Sequence, residues 1–433
     1  MSDILIGVLG LLALLILFLS GIELAAAMGI VGLIGFCLVR GVDAGLTVAA
    51  NDFFDVFGNY GFTVIPLFIF MGQIAFNAGI ARKLYNTSNK FLGHVPGGLA
   101  MATVVGASLF KAISGSAIAT AATFSSVAIP EMDRYGYDKK LSTGIVAVVG
   151  TLGLLIPPSG ALIIFGIITE QSIGRLFLAG IIPGLIIAFF FVVIIYGWCK
   201  IDPSLGPRGE KSTWNERMAS VPSVLWVGVI FIMVIGGLMM GIFTPTEGGS
   251  VGTFLVFLLA LLQRKLGAKE LVRSIGESLS SACMVMVLIA CSTILGHFLT
   301  ATKISIIAGE WLISLPIDRN LTMILILLIY QIGGSVIDDQ AFLILATPIL
   351  FPAVLKLGFD PIWFGMIVSI NMMIGIVIPP MAMNVFVVHN ITKTPLSIVY
   401  KGVLPFLLSL FMAAALLFVF PQLALFLPSI LMK

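Results

Sequence analysis

The chain has 433 residues, 59% of them hydrophobic and 10% charged, with a formal net charge of +3. That composition cannot give a soluble domain its charged surface, and apolar stretches near bilayer length recur from Ile4 to Leu431, so the chain reads as an all-α polytopic membrane protein embedded in a lipid bilayer. The weak, unclustered positive charge argues against a nucleic-acid partner, and Cys37, Cys199, Cys283 and Cys291, with no C-x-x-C spacing, argue against disulfides or a thiolate metal centre.

Met1-Ser2-Asp3 offers no basic n-region, and the helix behind it no small-residue cleavage site, so the first apolar segment is expected to be retained. The first half then reads as spans at 4 to 20 and 22 to 40, an interfacial stretch, a span at 61 to 79, and paired short segments at 95 to 113 and 117 to 130. A proline-broken helix at 142 to 170 and a span at 176 to 199 complete it. A charged linker at 200 to 221, with Pro203, Pro207 and Gly209, separates it from the second half. There the same series predicts spans at 222 to 242, 246 to 264 and 281 to 300, paired segments at 321 to 336 and 340 to 354, a broken helix at 362 to 390 and a last span at 402 to 431.

The halves repeat. Shifted by 222, IPEMDRYGYD becomes FPAVLKLGFD, which sets Pro130 on Pro352, Gly136 on Gly358 and Asp138 on Asp360. The register continues through Gly153 on Gly375, Pro157-Pro158 on Pro379-Pro380, Gly180 on Gly402 and Pro183 on Pro405. Upstream the offset slips by two, where Glu23 faces Glu247. Residues 1–199 and 222–433 therefore read as duplicated repeats, 200–221 as a cytoplasmic linker. Each repeat would hold scaffold helices, a re-entrant hairpin (95–130 and 321–354) and a broken helix (142–170 and 362–390).

Five crossings per repeat, an odd number, would invert the second relative to the first. With the amino terminus outside, sixteen Lys and Arg fall on the cytoplasmic side, from Arg82 to Lys401. Six stay outside: Arg40, Arg175, Lys303, Arg319, Lys356 and Lys433. The positive-inside rule favours that orientation.

Non-helical backbone at membrane depth is tolerated only where it is buried in protein or lines a polar cavity. Proline also removes an amide, so the carbonyls before Pro157-Pro158 and Pro379-Pro380 are expected to be free for a cation or substrate. Inverted repeats with broken helices describe a secondary transporter with a site at the midplane. The hairpin tips add Ser114, Gly115 and Ser116 in the first half, and Gly333, Gly334, Ser335 and Asp338 in the second. Glycine turns expose carbonyls and serine adds hydroxyls, which suits a hard cation such as Na⁺. Two symmetric sites are expected: Ser114 and Ser116 with Gly150 and Thr151, and Gly334 and Asp338 with Asn371 and Met372. Close helix packing of small residues is the other reading of the glycines and serines, and it suits Gly98, Ala119 and Ala122.

The strings LFKAISGSAIATAA, GYDKK, GTLGLLIPPSG, GIFTPTEGG and LGFDPIWFGMIVSINMMIGIVIPP make the chain resemble, over nearly its whole length, the large membrane subunit of tripartite ATP-independent periplasmic (TRAP) transporters. The resemblance implies an elevator-type fold and sodium-driven uptake of an organic acid into a bacterium or archaeon across its inner membrane, with no organic cofactor. It also implies a small four-helix membrane subunit, expected as a separate chain because nothing precedes Met1, and a periplasmic substrate-binding protein docking on the outer loops. In such transporters the binding protein largely selects the substrate, so C4-dicarboxylates, sialic acid and other acids stay open, sialic acid being favoured.

The family usually has a small residue where Lys111 stands, and a glycine shortly after the second proline pair, where this chain has Met381-Ala382. Lys111 falls about one helical turn, ~5 Å, before the first tip. A substrate carboxylate is one expected partner; a structural carboxylate, or snorkelling to the cytoplasm, is the alternative. His94, His297 and His389 lack ligand spacing and read as packing or interfacial residues. Glu23 and Glu247 read as helix caps, and Trp198, Trp214, Trp226, Trp311 and Trp363 as an interface belt. H-E-x-x-H and G-x-S-x-G are absent, which argues against an enzyme. A proton-coupled or antiporter-like subunit of a larger complex is the alternative reading, and it would ordinarily need a chain of intramembrane Lys, Glu and His that this sequence lacks.

Overall fold

A computed structural model describes residues 2–432; Met1 and Lys433, one of the six basic residues expected outside, lie outside the described residues. These residues form helices and turns, with no strand among them. The first half runs α1 (Asp3–Leu19), α2 (Leu24–Arg40), α3 (Val42–Gly58), α4 (Val64–Asn77), α5 (Ile80–Leu92), α6 (Gly98–Ser114), α7 (Ala117–Arg134), α8 (Lys139–Val149), α9 (Gly160–Ile168) and α10 (Ile173–Ile201). The second runs α11 (Trp214–Met239), α12 (Pro245–Leu262), α13 (Ala268–Ala301), α14 (Ile304–Ser314), α15 (Arg319–Val336), α16 (Asp339–Lys356), α17 (Pro361–Gly375), α18 (Met383–Thr392), α19 (Leu396–Val419) and α20 (Gln422–Leu431). Eight helical segments among the described residues are long and apolar enough to cross a membrane.

The turn chemistry explains several of the recurring strings. Gly136 and Gly358 adopt φ of +76° and +77°, a left-handed conformation that ends the preceding helix and strains any side chain bearing a Cβ. Two residues later Asp138 and Asp360 cap α8 and α17 through their carboxylates, so each G-x-D string stops one helix and starts the next. In FTPTE, Thr244 and Glu247 form a reciprocal capping box around Pro245 at the first turn of α12. Glu247 thus caps as expected, whereas Glu23 stands at the start of α2 without a side-chain cap bond.

Helix α5 carries Ile80, Leu84, Tyr85 and Ser88 on a buried face, with Arg82 exposed opposite, the pattern of an interfacial helix. Helix α13 differs from expectation. It is one continuous helix of 34 residues, joining the polar segment from Ala268 to the predicted span at 281–300. In the first half the equivalent stretch breaks between α3 and α4 at Asn59 and a 3₁₀ turn, Tyr60–Thr63. The predicted span at 402–431 is two helices, α19 and α20, separated at Phe420-Pro421. Trp363 leaves the predicted interface belt: it is buried, its indole donates to the Leu417 carbonyl at 2.8 Å, and its ring stacks on Phe359.

Two layers of packing position the site. Helix α2 lies against α13 so closely that a Cβ on Gly32 would meet the Leu295 backbone at 2.7 Å. Helix α8 lies against α19, where Gly144 and Gly402 face each other backbone to backbone. Asp52 on α3 accepts from His297 on α13 at 3.2 Å, so that histidine serves packing between helices. Cys37, Cys199, Cys283 and Cys291 are all free, with Cys199 and Cys291 buried.

Candidate functional site

The first hairpin turns at Gly115, between α6 and α7. Ser116 caps α7, its hydroxyl accepting from the Ala119 amide at 3.2 Å. Its carbonyl accepts from the Thr120 hydroxyl at 3.0 Å and from the Lys111 ammonium. Ser114 is buried, and its hydroxyl has no hydrogen-bond partner. The second hairpin turns at Ile337-Asp338, between α15 and α16. Asp338 caps α16 by accepting from the Ala341 amide at 3.1 Å. Its neighbour Asp339, only 6% exposed, has one carboxylate oxygen without a partner.

Both proline pairs sit in helix breaks and are joined by cis bonds. Across the first break Ser159 donates to the Leu154 carbonyl at 2.9 Å and caps α9 by accepting from Leu162. That bridge satisfies a carbonyl which the sequence suggested would be free. Across the second break the Asn384 amide nitrogen of the backbone donates to the Ile376 carbonyl at 3.3 Å, and the Met381 amide to the Ser335 carbonyl of the hairpin at 3.1 Å. The Asn384 side chain reaches over to the first half and donates to the Ala147 carbonyl at 3.0 Å. The two breaks are thus tied to each other as well as to their hairpins.

A cavity of about 500 Å³ opens between these parts. Ser114 to Ala119 line it from the first tip, Asp338 to Gln340 from the second, and Leu154, Pro158 and Gly160 from the first broken helix. Opposite stand Gly72, Gln73 and Phe76 on α4 and Arg273, Glu277 and Ser281 on α13. Arg273 pairs with Glu277 at 2.7 Å along the helix. The first turns of α7, α9 and α16 all reach this wall, so backbone amides with no helical partner converge on it. The paired aspartates oppose an anion at the α16 end. An anionic group is therefore favoured near the α7 and α9 ends.

The predicted residues divide accordingly. Ser114, Gly115, Ser116, Pro158 and Asp338 come together around the cavity. Pro157 is buried behind it, and Pro379 and Pro380 are exposed without lining it. Gly150 packs under the first tip, where a Cβ would meet the Ala117 carbonyl at 3.0 Å and the Asn384 side chain at 2.8 Å. The Thr151 hydroxyl is committed to the Val148 carbonyl at 2.7 Å. Gly334 lies against Gly375 with 3.0 Å between its carbonyl and the place of a Cβ. The Asn371 amide donates to the Leu327 carbonyl at 2.9 Å, and the Met372 carbonyl accepts from Ile376 at 3.0 Å. Lys111 stands apart from these residues. It is fully buried, absent from the cavity wall, and has no carboxylate partner among the described ion pairs. Sequence reasoning missed Asp339, which stood beside the chosen Asp338, and Asn384, whose only signal was an amide two residues past Ala382 in an apolar run.

Residues 11–423 match the family described as the tripartite ATP-independent periplasmic transporter, DctM component. The chain belongs to that family. It is the large permease subunit of a TRAP transporter, a multi-pass membrane protein whose relatives are transport permeases rather than enzymes. The C4-dicarboxylate TRAP transporter large permease protein DctM of Pseudomonas aeruginosa is 33% identical over 88% of this chain and 89% of its own. The sialic acid TRAP transporter large permease protein SiaM of Vibrio cholerae is 30% identical over 89% and 90%. The isethionate TRAP transporter permease protein DctMQ of Oleidesulfovibrio alaskensis is 32% identical over 92% of this chain and 62% of its own. Among solved structures, the YdaH transporter of Alcanivorax borkumensis superposes with a TM-score of 0.64 over 88% of this TRAP permease and 89% of that chain, at 12% identity, a likeness of fold alone.

Proposed function

We propose that this TRAP permease imports a small organic acid, of the C4-dicarboxylate or sialic acid kind, by sodium-coupled symport across a bacterial inner membrane. The observation that carries this is the cavity shared by both hairpin tips and the first broken helix, walled on the other side by α4 and α13. The α7 and α9 first turns hold the substrate carboxylate, and Gln73, Ser281 and Gln340 line the remaining wall. Sodium enters at the second tip, where the buried, unpartnered Asp339 oxygen supplies an acceptor for a cation. The two repeats are inverted, with the amino terminus periplasmic. The hairpins and broken helices move as one body past α2, α4, α12 and α13, which stay fixed against a small membrane subunit. A periplasmic binding protein delivers the acid.

Proton coupling is the second reading, favoured by the adjacent carboxylates of half-buried Asp338 and buried Asp339. Uptake in proteoliposomes, with the binding protein and a panel of labelled acids, separates the two. A sodium gradient at equal pH is expected to drive accumulation, whereas accumulation driven by a pH gradient alone would establish the second reading. A disulfide between α12 and the first hairpin is expected to stop uptake reversibly, and full crosslinking with uptake intact would remove the elevator motion.

A further inference from the structure

At the first tip a lysine side chain reaches the backbone of the turn. Lys111 is wholly buried on α6, and its Nζ donates to the Ser116 carbonyl at the turn. Its tail lies over the first broken helix: a Cβ added to Gly153 would fall on the Lys111 Nζ, Cε and Cδ. Glycine at 153 is what makes room for that chain. The position 222 residues on from Lys111 is Gly333, so the second tip has no such tail, and Phe342 packs over the glycine instead. There one oxygen each of Asp339 and Gln331 is left without a donor, whereas at the first tip the Ser116 carbonyl takes Lys111 in addition to the Thr120 hydroxyl, and only the Ser114 hydroxyl is unpartnered.

We propose that Lys111 is a tethered cation that replaces one coupling ion. The first tip receives its positive charge from the chain itself and the second from solution, so this permease binds one sodium ion where its repeat would otherwise provide for two. The inference rests on the sodium-coupled reading above. The ammonium travels with the hairpin and is never released, so it adds charge to the moving body without drawing on the ion gradient. An ammonium on the end of a lysine fits this role because it is a compact charge with three donors and no acceptor, able to satisfy carbonyls as a bound cation would. Burying it without a carboxylate is costly, and carbonyl acceptors held at a turn offset part of that cost.

The test is an equilibrium count of bound ²²Na⁺ on the purified full-length permease, with choline chloride holding ionic strength constant. Wild type is expected to bind one sodium ion per chain. Lys111→Ser, which opens the space and leaves a hydroxyl, is expected to bind two, with the Hill coefficient of sodium-dependent thermal stabilisation rising from about one toward two. Lys111→Met, which keeps the length but cannot donate, is expected to stay at one and to lose uptake. Two ions on wild type, or an unchanged count in a folded Lys111→Ser protein, would overturn the tether. No bound sodium on wild type would instead overturn the sodium-coupled reading itself. If Lys111→Ser does not fold, the wild-type count decides.

Discussion

At the first hairpin tip the buried ionisable side chain is Lys111, whose Nζ donates to the Ser116 carbonyl and whose tail lies over Gly153. At the second tip the same place in the repeat is Gly333, and the ionisable groups are the carboxylates of half-buried Asp338 and buried Asp339. The backbone plan is common to both: hairpin, G-x-D turn, helix, glycine, proline pair. On the proposal above, one tip supplies its own positive charge and the other takes a cation from solution.

The largest effect that would break this comparison comes from adding one methyl group to each half. Gly153→Ala places its Cβ on the Lys111 ammonium, so uptake is expected to fall tenfold or more, with stability lowered by ~1–3 kcal/mol from overpacking. Gly375→Ala meets the Gly334 carbonyl at 3.0 Å and the Ser335 amide at 3.6 Å, longer contacts than those at Gly153, so it should cost less. Combining Gly153→Ala with Lys111→Ala should recover stability, with a coupling of ~0.5–3 kcal/mol in a thermal double-mutant cycle. Equal costs at the two glycines, with no coupling, would mean that the tips are not filled differently.

A sodium titration sharpens the contrast. Asp339→Asn is expected to raise the sodium concentration for half-maximal uptake about tenfold, ~1.4 kcal/mol of lost ion affinity. Ser114→Ala at the first tip should change it by less than about twofold, since less than ~0.5 kcal/mol is at stake for a hydroxyl that meets no ion. A larger response at Ser114 than at Asp339 would reverse the assignment of the ion.

The smallest effect concerns the helix breaks. Ser159→Ala removes both the cap of α9 and the bond to the Leu154 carbonyl, for a loss of ~1 kcal/mol. Its counterpart Met381 is exposed, and Met381→Ser should stay within ~0.5 kcal/mol of wild type by thermal unfolding.

Much of this was legible in the residues. Gly136 and Gly358 with Asp138 and Asp360 announced turns because φ near +76° favours glycine and a short carboxylate caps the next helix, both local effects. The tips were legible for the same reason, as polar groups at a turn inside apolar segments. The exposure of Pro379-Pro380 was not, because a proline pair shows that a helix breaks without showing which side of the break faces protein. Nor was the place of Trp363, whose sequence position near a helix start fits an interface as well as it fits the contact with Leu417.

The sequence by itself determined that the chain lies in a membrane, that its pattern repeats, where its helices break, and to which family it belongs, because hydropathy, proline and glycine act within a turn or two of where they stand. Only the tertiary structure decided which groups at the breaks are already spoken for. Ser159 closes the first break from within, Asn384 ties the second to the first across 237 residues, and Lys111 turns away from the cavity to the Ser116 carbonyl. A buried donor takes an acceptor that packing brings within reach, and that choice is made in three dimensions, after every helix is in place.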